Sequence, residues 1–141
     1  MLLNRDTILA NVTLKKELVE VPELGGSVYV RAMTGAESDV LTEMVLAHEA
    51  RTGNNRLPHL KAIMAVLTVC DEHGGRLFDM ADVDMLLTKE GTALSRLFEV
   101  ARRLNGLNPE DEEALLKNSA SNQSNDSGLS LPSLSDEPSP N

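Results

Sequence analysis

The chain has 141 residues, a formal charge of −9 and 41% apolar residues, enough for one aliphatic core with a short tail. Its acidity argues against binding a phosphate backbone, and an aromatic content of 2% leaves no platform for stacking bases. One cysteine cannot form an internal disulfide, and the start MLLNRDTILANV carries Arg5 and Asp6 without a long apolar run. A secretory signal or membrane anchor is therefore not expected, and a reducing cytoplasm is the expected compartment.

Residues 4 to 11 suit a short helix, with Asn4 as its cap and Ile8 and Leu9 as the expected buried contacts. From Lys15 to Val21 the period changes. Leu18, Val19 and Val21 mix with Glu17 and Glu20, which predicts a strand with one exposed face. Pro22-Glu23-Leu24-Gly25-Gly26 is a turn signal. Ser27 to Met33 then alternates as a second strand, with Val28, Val30 and Ala32 on one side and Tyr29, Arg31 and Met33 on the other. Two strands joined by a short Gly-rich loop predict an antiparallel hairpin. A lone hairpin is marginal in water, so its apolar face is expected on helices.

Thr34 and Glu37 have the T-x-x-E spacing of a capping box and open a helix expected to end near Arg51. Val40, Met44 and Ala47 form its stripe, beside Leu41, Val45 and Leu46. The most apolar stretch follows, Leu57 to Phe78. Pro58 suits a first helical position, and the uncharged run from Ala62 to Cys70 predicts a helix buried on more than one side. It is shorter than the roughly 20 apolar residues of a membrane span. Gly74-Gly75 ends it, and Leu77 and Phe78 are expected to return to the core.

Asp79 reads as the next cap, before a short helix in Met80 to Lys89 using Val83, Leu86 and Leu87. Thr92 to Asn105 repeats Leu94, Leu97, Phe98, Ala101 and Leu104 at helical spacing, and Gly106 is a natural stop. Asn108-Pro109 followed by four acids is a further helix start, reaching Lys117. From Asn118 the composition turns to Ser, Asn, Asp, Gly and Pro, which cannot bury enough surface to offset chain entropy. Residues 1–117 are thus read as an α+β domain, an N-terminal β-hairpin packed on a bundle of four to five helices. Residues 118–141 are read as a disordered tail. Its Leu129, Leu131 and Leu134 are either incidental or a short docking motif.

No catalytic, cofactor-binding or metal-binding constellation emerges. His48, His59 and His73 lack partners at ligand spacing. Cys70, Asp71 and His73 are adjacent at a helix end, where side chains seldom converge into a nucleophile and its base. Asp71-Glu72-His73-Gly74-Gly75 lacks the alternating acids of a calcium loop and reads as a Gly turn between packed segments. Gly25-Gly26 and Gly74-Gly75 each lack the Lys and helix start of a phosphate loop. Cys70 reads as a buried small hydrophobe and Arg102-Arg103 as an exposed, solvated or salt-bridged pair. Met33, Met44, Met64, Met80 and Met85 read as core filler, or else as an adaptable surface.

Three segments, in order, resemble tail assembly chaperones of long-tailed bacteriophages. Val19-Glu20-Val21-Pro22-Glu23-Leu24-Gly25-Gly26, continuing Val28-Tyr29-Val30-Arg31 and then Gly35-Ala36-Glu37, resembles the family's opening hairpin and helix start. Asp71-Glu72-His73-Gly74-Gly75-Arg76-Leu77-Phe78 is similar to its D-E-x-G-x-x-L-F turn, and Leu104-Asn105-Gly106-Leu107 to its L-N-G-L. The resemblance spans residues 15 to 117. It implies a non-enzymatic protein that holds tape-measure protein, tail-tube protein or both before the tube polymerises, with no cofactor, nucleic acid or membrane. Self-association stays open. So do two other readings: a minor tail or baseplate component, and a prophage-encoded regulator of a host protein. Partner contact is expected along the strand at Val28, Tyr29, Val30 and Arg31, by addition of a partner strand, and at the tail leucines.

Overall fold

A computed structural model describes residues 1–107 of the chain. The expected helix at 108–117 and the tail with Leu129, Leu131 and Leu134 lie outside the described residues. The fold is α+β: a three-stranded antiparallel sheet with helices before, between and after its strands. The chain divides into two units.

The first unit comprises Met1–Thr34 and Lys61–Leu104. It opens with α1, Arg5–Ala10, whose cap is Asn4: the Asn4 Oδ1 accepts from the Thr7 amide at 2.9 Å. Ile8 and Leu9 are not buried contacts. They are 55% and 62% exposed, because a helix of six residues offers too little surface to anchor itself.

Strands β1, Lys16–Val21, and β2, Gly26–Arg31, pair antiparallel in the register Leu18↔Tyr29, with Glu17↔Val30 and Val19↔Val28 alternating on the other face. The connecting Pro22–Leu24 forms one 3-10 turn, and Gly25 closes it at φ +83°, a conformation that costs glycine little. Val19, Val21 and Val30 face the core, against which α5, Gly91–Leu104, is laid. Ala93, Leu94, Leu97 and Ala101 form its buried stripe. Each buried leucine there contributes about 1.5–3 kcal/mol.

The apolar helix is α3, Leu60–Thr68, with every residue from Ala62 to Thr68 buried. Its bounds differ from expectation at both ends. At the start, His59 has φ +64°, so Pro58 lies in a turn rather than in the helix. At the end, Val69 and Cys70 leave the helix as β3, pairing with Val30 and Tyr29. Thr68 prepares the break: its hydroxyl donates to the Met64 carbonyl at 2.7 Å, and two β-branched residues in succession weaken helix propensity. The sheet order is β1-β2-β3, so β2 is central.

After β3 the chain reverses, and Cys70 bridges Arg76. Phe78 is half-buried, but Leu77 is 49% exposed and does not rejoin the core. Asp79 and Asp82 form a reciprocal capping box over a 3-10 turn, followed by α4, Val83–Leu86, which is shorter than expected. Leu86 is buried, whereas Leu87 is 37% exposed.

The second unit contains Gly35–Leu60 and the segment after Leu104. Its helix α2, Gly35–Thr52, has no buried residue, and Val40 and Leu46 are exposed. Gly53 at φ +85° follows it.

Candidate interaction surface

Among the described residues no group of three or more His, Cys, Asp or Glu is placed to hold a metal. The residues considered for chemistry are engaged in structure instead. Cys70 is free, buried at 1% exposure, and burial pushes its thiol pKa up, opposed by the charges of Arg31 and Lys16. His73 points its Nε2 at the Glu72 carboxylate at 3.3 Å on the surface, and His48 Nδ1 lies 3.3 Å from Arg51 Nη2.

The Asp71–Gly75 segment is a self-bonded turn. Asp71 Oδ1 accepts from the amides of His73 at 2.8 Å and Gly75 at 3.0 Å, and the Asp71 amide donates to the Gly75 carbonyl. The Gly75 amide, then that of His73, holds the Asp71 carboxyl below its usual range. Gly74 sits at φ +88°. Two cations from the hairpin grip this turn. Arg31 Nε donates to the Gly74 carbonyl at 2.9 Å, and Lys16 Nζ donates to the Glu72 carbonyl while lying 5.3 Å from the Tyr29 ring centroid. The family-like D-E-x-G-x-x-L-F segment is therefore a brace for the sheet.

A second set of polar contacts ties β1 and its turn to α5. Arg96 Nη2 donates to Glu23 Oε2 at 2.7 Å, and Arg103 Nη2 donates to Glu17 Oε2 at 3.0 Å. The Arg96 hydrogen bond holds the Glu23 carboxyl below its usual range, and the Arg103 hydrogen bond does the same for Glu17. Arg96 and Arg103 are seven residues apart, two turns of one helix, so their shared face was readable from sequence; the two glutamates they reach were not. Arg102 is not exposed as expected: it is 9% exposed and donates to Glu99.

The expected contact residues do not form one exposed strip. Val28 and Tyr29 are half-buried, Val30 is fully buried and Arg31 is 4% exposed. Addition of a partner strand along Ser27–Met33 is blocked where β3 already pairs with Tyr29 and Val30. Of the methionines, Met64 is core, Met33, Met44 and Met80 are half-buried, and Met85 is 64% exposed.

Exposed apolar surface gathers instead at the N-terminus, where Leu2, Leu3, Ile8, Leu9 and Val12 are each more than half exposed. Leu18 on β1 is also exposed, at 57%. Ile8 and Leu9 are apolar at helical spacing, which suggests burial, and the brevity of their helix is the signal in the sequence against it. No helix among the described residues is long and apolar enough to cross a membrane.

No protein-family model matches the chain, and no curated protein matches it. Among solved structures it is similar to the tail assembly chaperone of bacteriophage HK97, with a TM-score of 0.50. The match covers 70% of this chain and 89% of that one at 21% identity, a likeness of fold.

Proposed function

We propose that the chain is a non-enzymatic tail assembly chaperone of a long-tailed phage or prophage, acting in the host cytoplasm. It binds the tape-measure protein, the tail-tube protein or both before the tube polymerises. The observation that carries this reading is the fold shared with the HK97 tail assembly chaperone, joined by the hairpin, turn and L-N-G-L segments that resemble that family in the same order.

The surface supports the same reading. A chaperone for polymerising subunits needs solubility together with accessible apolar groups that a client covers and later releases. A net charge of −9 supplies the first, and the exposed side chains of residues 1–12 and of Met85 supply the second. The engaged positions of Cys70, Asp71 and His73 fit a protein that works by binding.

The test is co-expression with the tape-measure and tail-tube proteins of the same phage, read by client solubility, pull-down and mass spectrometry of purified virions. A client made soluble and co-purified, with this chain missing from mature particles, is the expected result. Retention in the particle without client binding replaces the reading with a structural tail component. Absence from particles without client binding replaces it with a regulator of a host protein.

A further inference from the structure

Asparagine is a thermolabile residue, because its carboxamide can be attacked by the backbone nitrogen of the residue that follows. Whether it reacts depends on that neighbour. Among the described residues Asn4, Asn11, Asn54 and Asn55 precede Arg5, Val12, Asn55 and Arg56, whose side chains crowd the attacking nitrogen. Asn105 precedes Gly106, which has none.

The backbone sets Gly106 apart from the other glycines at positive φ. Gly25, Gly53 and Gly74 donate their amides to the carbonyls of Pro22, Glu49 and Asp71, at 3.0, 2.8 and 3.0 Å. A nitrogen whose proton is engaged in this way is a poor nucleophile. Gly106, at φ +73°, is exposed, and among the described residues its amide has no acceptor. The space beside it is open: nothing lies within 4 Å of the place a Cβ would take. Asn105 and Gly106 form a turn just past α5, outside the helical ladder that would hold the two groups apart.

We propose that Asn105 is a site of spontaneous modification, at which the chain converts itself to aspartate and isoaspartate. The Gly106 nitrogen attacks Cγ of Asn105 and forms a new C–N bond. The carboxamide C–N bond breaks, and its nitrogen leaves as ammonia with the proton lost by the Gly106 amide. The resulting succinimide takes up one water. Opening on the Cγ side leaves aspartate at position 105, and opening on the α-carbonyl side leaves isoaspartate, which lengthens the main chain by one carbon. Either product adds a carboxylate one residue past the end of α5. The last turn of that helix carries Arg102 and Arg103, as suits the negative end of its dipole, and the new charge opposes that dipole. The site does not depend on the chaperone reading, and a failure to bind tail proteins leaves it standing.

The test incubates the full chain in neutral and in mildly alkaline buffer and follows it by peptide mass mapping. The Asn105 peptide is expected to gain the mass of an amide-to-acid exchange and to split into two products, isoaspartate the larger. The Asn11 and Asn54 peptides lag many-fold behind. The rate rises with pH, because the attacking amide must lose its proton. Hydroxylamine traps the succinimide and cleaves the chain between positions 105 and 106. Gly106→Ala slows conversion several-fold, with circular dichroism confirming its fold. Conversion at Asn105 no faster than at Asn11 and Asn54 overturns the proposal. So does aspartate formed without isoaspartate, which is direct hydrolysis, and so does a Gly106→Ala rate equal to that of the wild type. A native rate far below the rate in guanidinium also overturns it, because the fold then keeps the nitrogen from Cγ.

Discussion

Arg31 and Gly74 lie 43 residues apart in the chain, and the Arg31 guanidinium donates from Nε to the Gly74 carbonyl at 2.9 Å. Its Nη1 also donates to the Ala32 carbonyl at 2.9 Å. One buried side chain thus joins the end of β2 to the Asp71–Gly75 turn. Arg31→Ala removes both donors from a 4% exposed site and is expected to destabilise the fold by about 1–3 kcal/mol. Arg31→Lys keeps the charge but loses the fork that reaches two carbonyls, and is expected to recover part of the loss. Urea unfolding followed by circular dichroism measures both.

The acid limb of stability follows from three carboxylates. Glu17, Glu23 and Asp71 are each held below their ordinary pKa values of 4.5, 4.5 and 3.8 in the folded chain. Their contribution is fully present above those unfolded values and is lost as pH falls through the lower folded ones. The melting temperature is expected to be insensitive to these groups from pH 7 down to about 5 and to fall below pH 4.5. Replacing Arg96 and Arg103 with Ala together should shrink the fall due to Glu23 and Glu17 and leave that due to Asp71. Thermal melts across the range in the double variant decide it.

Two methionines separate core from surface. Met64 is 1% exposed in α3, and Met64→Ala is expected to cost about 2–5 kcal/mol. Met85 is 64% exposed, and Met85→Ala should stay within about 0.5 kcal/mol. If Met85 contacts a client, its replacement lowers client solubility in the co-expression assay without moving the urea midpoint.

Cys70 offers a readout of opening. Its thiol is 1% exposed and its pKa is raised by burial, so a thiol reagent should react slowly with the native chain and rapidly in denaturant. The native rate should track the free energy of unfolding, rising in Arg31→Ala and Met64→Ala alike.

Deletion of residues 1–12 tests the exposed N-terminal segment. All of them are exposed and α1 has no buried residue, so the urea midpoint should be nearly unchanged. A fall in client capture with stability intact would place the contact there.

Local chemistry made much of this fold legible. The hairpin, its Pro-Glu-Leu-Gly-Gly turn, the Asn4 and Asp79 caps, the stripe of α5 and its stop near Gly106 are short-range features, each set by residues within a few positions. The expectations that failed were about what lies beside an element. Ile8, Leu9 and Leu77 are apolar and locally well placed, yet nothing in a local pattern tells whether a surface exists to cover them. Arg102 reads as surface, yet it is 9% exposed and donates to Glu99.

Residues Ala62 to Cys70 divide the two kinds of knowledge. Their lack of charge already determined that the segment would be buried, because transferring so much apolar surface from water outweighs any local preference. Whether Val69 and Cys70 would finish the helix or become a strand was not decided within the segment. Only the open edge of β2 at Tyr29, brought alongside by the folded hairpin, drew Val69 and Cys70 into a strand and made β2 the centre of a three-stranded sheet. By that act the tertiary structure closed one side of β2 and left β1 as the open edge.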